Sequence, residues 1–293
     1  MFNPAILISK PVPFLKVRVH RDDLDPTLCG LCVGYERDKW RTTQLAQHIF
    51  EWLPEFALTP SEWGAIQHSN SVELLRSAAR RVYTSKKFEN RGEFGELLLH
   101  AVVRQVHNSI PAISKIYYKT ADNDTVKGFD AVHVVGPPDD MELWLGEAKF
   151  YKEINSAIRE VVEELETHLD TDYLRAEFSL ITGKIDGSIP HADNLKKLLS
   201  PNTSLDDVFS RACIPVLLTY DSSCVASHKS CDNKYEDAFK AELEVHHAKF
   251  LDALAKNKGV PKEIAIHLFL LPLAAKEALI AAFNEKLKSW QNL

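Results

Sequence analysis

Gly128-Phe129-Asp130-Ala131-Val132-His133-Val134-Val135 and, after the turn Gly136-Pro137-Pro138-Asp139-Asp140, Glu142-Leu143-Trp144-Leu145-Gly146-Glu147-Ala148-Lys149-Phe150 read as two successive strands. Side chains alternate faces along a strand, so Asp130, Val132 and Val134 share one face of the first. Leu143, Leu145, Glu147 and Lys149 share one face of the second. If the hairpin turns both faces the same way, apolar residues at one end pack on a helix. At the other end an aspartate, a glutamate and a lysine converge. Burying like charges side by side is unfavourable unless something positive lies between them. Two carboxylates, Asp130 and Glu147, with the backbone carbonyl of Ala148 suit a hard divalent cation: Mg2+, with Mn2+ as the alternative. Such an ion binds a phosphodiester oxygen and lowers the pKa of an attacking water, and Lys149 adds a fixed positive charge.

Working outward, residues 90–107 have helical spacing, with Phe94, Leu98, Ala101, Val102 and Val106 as core candidates. A strand is expected at 113–119, ended by the polar Asp122-Asn123-Asp124 turn, and a helix at 153–169 on Ile154, Ile158, Val161, Val162, Leu165 and Leu169. A strand at 178–182 would complete the order αβββαβ. Further on, the spacing predicts strands at 213–219 and 264–270 and helices at 235–254 and 274–290. Residues 5–20, β-branched but interrupted by two prolines, suit an edge strand or short hairpin. Helices follow at 42–58 and 71–85, with a turn at 61–63. The expectation is an α/β protein in which residues 1–88, a β edge plus a helical extension, pack on a domain spanning 89–293.

These residues resemble the PD-(D/E)xK nuclease superfamily, whose core is an αβββαβ unit with Asp on the second strand and (D/E)-x-K on the third. Gly128-Phe129-Asp130 and Gly146-Glu147-Ala148-Lys149 match, with Phe129 in place of the name-giving proline. The preceding helix offers Glu96, in Gly95-Glu96, where many members place another acidic ligand. Arg-Gly-Glu-Phe-Gly-Glu at 91–96, Gly-Phe-Asp-Ala-Val-His at 128–133 and Leu-Trp-Leu-Gly-Glu-Ala-Lys-Phe-Tyr at 143–151 are similar to the HamA family, effector subunits of the Hachiman anti-phage defence system. The resemblance implies a DNase with Glu96, Asp130, Glu147 and Lys149 as catalytic residues, working with a HamB-like helicase partner. Glu93 lies one turn before Glu96, and either carboxylate could face the site. The one that does not is a helix-start carboxylate, favoured there by the dipole.

His100 and Arg104 continue from Glu96 at four-residue steps, so they either line the cleft or form a solvated stripe. Lys152 and Arg159 fall where related nucleases touch the substrate backbone. Arg76, Arg80, Arg81, Lys86, Lys87 and Arg91 form a basic run that either neutralises phosphates, docks the partner subunit, or is a solvated face with Glu73 beside Arg76. Cys29-Gly30-Leu31-Cys32 has zinc-like or redox-like spacing, and Cys224, His228 and Cys231 supply further ligand types. A structural zinc would need these distant pieces to meet; the plainer reading makes Cys29 and Cys32 small buried apolar residues.

Composition bounds the rest. At 293 residues, 45% hydrophobic and 26% charged, the chain has room for one large or two smaller globular domains. Its formal charge of -6 rules out a general cationic sheath, so a polyanion must be met locally. With 11 glycines and neither G-x-x-x-x-G-K-S/T nor G-x-G-x-x-G, an ATP motor or a dehydrogenase is not expected, which puts any ATPase on a partner chain. No H-E-x-x-H or G-x-S-x-G is present either. The apolar run at 264–275 is interrupted by His267 and Pro272 and falls short of the about 20 residues a membrane span needs. The expectation is therefore a soluble, cytoplasmic protein that acts on DNA, with no membrane and no small-molecule substrate. Competing readings are a catalytically idle nuclease-fold subunit that holds DNA or the helicase, and an enzyme acting on RNA, since no device for sensing the 2′-OH is visible.

Overall fold

The computed structural model describes residues 10–82, 92–114, 128–257, 259–261 and 263–293. Strands β1 (Lys16–Arg21) and β2 (Thr27–Cys32) precede a small ribbon of β3 (Tyr35–Glu36) and β4 (Lys39–Trp40). Helices α1 (Thr42–Glu51), α2 (Leu53–Ala57), α3 (Pro60–Gly64) and α4 (Ser71–Val82) follow. The unit carrying the quoted hairpin comprises α5 (Gly92–His107), β5 (Ile110–Ser114), β6 (Ala131–Val135), β7 (Glu142–Phe150) and α6 (Ile154–His168). Three helices, α7 (Thr171–Lys184), α8 (Ala192–Leu198) and α9 (Leu205–Phe209), separate it from β8 (Ala212–Asp221). Then come α10 (Ser223–Ser227), α11 (Asn233–Lys256), β9 (Ala265–Leu273) and α12 (Lys276–Gln291).

Among the described residues, seven strands form one mixed sheet in the order β1-β2-β9-β8-β7-β6-β5. Neighbours from β2 to β7 run parallel, while β1 against β2, β7 against β6 and β6 against β5 are antiparallel. Helices cover both faces, as a sheet with parallel strands requires. One layer holds α5 against β7, with α1, α2, α4 and α12 around it; the other holds α6 against β7 and β8, beside α11. The central strands are correspondingly apolar: Ile214, Val216, Leu217 and Leu218 of β8 and Leu268 to Leu271 of β9 are fully buried. Among the described residues, no helix is long and apolar enough to cross a membrane.

The fold is α/β with the αβββαβ order α5-β5-β6-β7-α6-β8, and β7 falls at the expected residues. One expected strand is not one. Residues 178–182 lie inside α7, and β8 takes the closing place. Phe178, Leu180, Ile181 and Thr182 have strand-like composition, but Asp170 caps a new helix by accepting from the N–H groups of Asp172 and Tyr173. Leu174, Phe178 and Ile181 then bury at helical spacing while Leu180 stays exposed.

Smaller departures have similarly local causes. The helix expected over 42–58 is split into α1 and α2, because Pro54 supplies no N–H in its first turn. The turn expected at 61–63 is α3, closed by a capping box between Thr59 and Glu62. β2 carries no strong strand signature, since Gly30 and two cysteines interrupt it. A Cβ at Gly30 would fall 2.2 Å from the Leu243 side chain of α11, so the glycine permits close helix–sheet approach. Pairing of β2 with β9 makes the sheet continuous across residue 88. The expected strand residues 115–119 and helix residues 83–85 and 90–91 lie outside the described residues.

Candidate functional site

Ala131 pairs with Gly146 across the β6–β7 hairpin, which sets Asp130 opposite Glu147. The Asp130 N–H donates to the Gly146 carbonyl at 2.9 Å, and Asp130 Oδ2 accepts from the Ala148 N–H at 2.9 Å. These bonds fix the carboxylate against the third strand of the core. Gly128 begins the approach with φ of +135°, and a Cβ there would lie 2.3 Å from Glu177 of α7, so only glycine brings the chain into β6 this way.

Glu147 is 1% exposed and Asp130 8%. Burial and the neighbouring Asp130 charge push the Glu147 carboxyl up to about 7, although the bond to His168 opposes this. His168, the last residue of α6, has Nδ1 2.5 Å from Glu147 Oε1. Burial works to lower His168, but that bond and the Glu147, Glu164 and Asp130 charges hold it above its ordinary value. Its ring stacks on Tyr173 at 4.8 Å between centroids and meets Phe129 edge-on at 5.3 Å. Lys149 shares the Glu147 face, pairs with Glu164 and lies 4.0 Å from Glu160, while the Tyr151 hydroxyl bonds Glu160. Glu160, Glu164 and His168 stand four residues apart and thus form one stripe of α6 over the strand.

The structure therefore brings Asp130, Glu147 and Lys149 together. Glu96 is carried by α5, which packs on the other face: a Cβ at Gly95 would contact Phe150 and Ala148, the residues that alternate with Glu147 and Lys149. Glu93 shares that helix. Arg104 is 2% exposed, with Nε 2.7 Å from Glu55 Oε1, and His100 is 1% exposed beside the same carboxylate. Neither the cleft-lining nor the solvated reading of these two fits: they are interior groups binding α5 to α2. Arg81 forms a forked pair with Glu62 at 2.5 and 2.7 Å and bonds the Ala57 carbonyl, while Arg76 and Arg80 stand on the same helix, α4. Lys86, Lys87 and Arg91 lie outside the described residues. Lys152 is exposed and paired with Glu277. Arg159 lines a groove of about 740 Å3 between α6 and α11, with Asn155, Lys249 and Lys256.

The five cysteines are free thiols. Cys29 and Cys32 are buried, as the plainer reading has them, and burial pushes Cys29 up to about 12. Cys32 and Cys231 do meet, near Tyr235, whose hydroxyl lies 3.0 Å from Cys32 Sγ. Among the described residues, however, no three His, Cys, Asp or Glu side chains form a ready metal cage, here or elsewhere. At the hairpin the donor chemistry nonetheless fits a hard cation: two carboxylates face each other, one nearly dry and raised by its neighbour. The sequence reading missed His168, Glu160 and Glu164. Their four-residue spacing just after the E-x-K strand was the available signal.

Fold and site define an α/β protein of the restriction-endonuclease-like class, with an acidic pair on its β6–β7 hairpin. The HamA family model matches residues 12–287, and the chain belongs to that family. It is similar to the Anti-bacteriophage protein A of Escherichia coli (strain K12), 26% identical over 262 residues. That match covers 87% of this chain and 46% of the relative, so the chain spans about half the length of the curated protein it matches. No solved structure matches it.

Proposed function

We propose that this chain is a metal-dependent nuclease that hydrolyses DNA phosphodiester bonds in anti-phage defence, under the control of a helicase-type partner. The observation that carries the reading is the buried Asp130–Glu147 pair, two carboxylates side by side with Lys149 on the same strand face. Mg2+, or Mn2+ in its place, would be held by Asp130, Glu147 and the Ala148 carbonyl, and would supply Lewis-acid stabilisation and a more acidic attacking water. The chain's own groups then have distinct tasks. The Ala148 N–H orients Asp130, His168 fixes the Glu147 carboxylate, and Lys149 offers a positive charge to the water or the phosphate. The name of the Escherichia coli relative and membership of the HamA family support the defence role. Absence of a nucleotide-binding loop from the sequence supports a separate motor.

The test is digestion of plasmid DNA with Mg2+, with and without the helicase partner, comparing wild type with Glu147→Ala plus Lys149→Ala. Cleavage should fall by roughly a thousandfold or more in the variant. Unchanged degradation would sink the assignment. Matched RNA run alongside decides the substrate.

A second reading has its own support. Lys149 is engaged by Glu164, and the acidic pair is almost wholly covered by the α6–α7 corner. A catalytically idle subunit that holds DNA or the helicase would look the same, and it leaves phage defence intact in the double variant.

A further inference from the structure

Lys276 opens α12 at the end of the sheet where β7 runs out. Its residue is 9% exposed. Its N–H donates to Asp221 Oδ1 at 2.6 Å, and its ammonium lies 5.0 Å from the centroid of the Phe150 ring and 5.6 Å from that of Tyr151. Among the described residues Lys276 Nζ has neither a hydrogen-bond acceptor nor an ion-pair carboxylate. The nearby acids are otherwise committed: Asp221 caps the helix and Glu277 pairs with Lys152.

Three influences work against a cation here. The side chain gives up most of its hydration, which the two aromatic faces replace only in part. It stands in the first turn of a 16-residue helix, where the dipole favours anions. Lys152 adds a like charge, so burial first and Lys152 second lower Lys276 from its ordinary value, with Asp221 opposing. A bound anion would offset all three, by pairing with the ammonium, by sitting favourably at the helix start and by being drawn to Lys152. Phe150 faces α5 while Tyr151, bonded to Glu160, faces α6, so the ammonium that lies near both rings stands at the end of the strand that carries the acidic pair, between its two faces.

We propose that Lys276, with the start of α12, binds a backbone phosphate of the nucleic-acid strand next to the one held at Asp130 and Glu147. This rests on the nuclease reading. Lys276 positions the strand; it does not touch the reacting atoms.

The test uses the full chain and a fluorescein-labelled DNA, single-stranded and duplex, in EDTA so that nothing is cut. Fluorescence anisotropy over a salt series compares wild type, Lys276→Met and Lys276→Arg. The methionine variant should bind roughly fivefold more weakly, its salt slope should drop by about one, and the arginine variant should keep both. Its melting temperature should stay level or rise, because an uncompensated buried charge has been removed. Unchanged affinity and slope, or a clear fall in melting temperature that marks a structural lysine, overturns the proposal. If wild type cleaves plasmid with Mg2+ while the methionine variant binds as wild type does, only the Lys276 site falls. If wild type neither binds nor cleaves nucleic acid, the nuclease reading falls with it.

Discussion

β6 serves two clusters of buried charge on opposite faces of the sheet, and they are built on different terms. On the α6 side, Asp130 faces Glu147, with Glu160 and Glu164 close by and Lys149 and His168 opposing them. On the α5 side, His133 bonds the Ser109 hydroxyl at 2.7 Å, Arg104 bonds the Ser109 carbonyl, and Arg104 meets Glu55 at 2.7 Å. There one carboxylate answers one guanidinium. Burial works against the Glu55 charge, but its contacts with His100 and Arg104 outweigh that and hold it below the usual carboxylate range. Burial lowers His100 and His133 from their ordinary values. Matched charge makes the second cluster a structural tie between the N-terminal helices and α5. Among the described residues the first holds more acid than base, and the proposed cation is what would offset it, since desolvated like charges are costly unless something compensates them.

The strongest way to break this contrast is to unbalance the matched cluster. Arg104→Met takes the guanidinium from the buried Glu55 carboxylate and leaves His100 beside it, and urea unfolding should show a loss of about 3–5 kcal/mol. Adding Glu55→Leu should restore most of it. A single variant as stable as wild type would mean that the pair carries no structural burden.

The acidic pair should respond in the opposite sense. Glu147→Gln removes one of two adjacent carboxylates and should stabilise the metal-free chain at pH 8 by roughly 1–3 kcal/mol. Because its folded pKa is raised, from 4.5 to about 7, stability present below pH 4.5 is lost as pH rises through 7. A melting series from pH 5 to 8 should therefore slope down more steeply for wild type than for the glutamine variant. Mg2+ should raise the wild-type melting temperature at pH 8 and leave the variant almost unmoved, by mass action on the folded state. Equal Mg2+ shifts would remove Glu147 from the binding set.

A surface pair sharpens the comparison from its weak end. Glu62 is drawn down to about 2, chiefly by its bond to Arg81, yet both side chains are about a third exposed. Glu62→Gln should cost less than about 1 kcal/mol, and less again in high salt. The lowered pKa gives a contribution present above pH 4.5 and lost as pH falls toward 2, so the two proteins should converge in acid.

How far the residues announced all this varies by cluster. Asp130 and Glu147 were legible because a strand's two-residue period and a short Gly-Pro turn fix which faces meet, without reference to the rest of the chain. His168 and Glu164 were half-legible, as a four-residue stripe whose target strand only packing supplies. The Glu55–Arg104 tie was not legible at all. Arg104 stands among apolar residues on α5, and nothing local says that a carboxylate 49 positions earlier, on a short proline-started helix, will meet it. Strand 178–182 failed for the complementary reason, since Asp170 and the spacing of Leu174, Phe178 and Ile181 outweighed β-branched composition.

By itself the sequence determined the hairpin, its register and the two carboxylates that face each other, because those follow from interactions within about 20 residues. Tertiary structure alone decided that β2 would join the sheet beside β9, that α7 to α9 would fill the gap before β8, and that Arg104 would turn inward while Lys276 stands unanswered over Phe150. Such outcomes depend on which distant surfaces bury one another, a choice made by the whole core and written in no single segment.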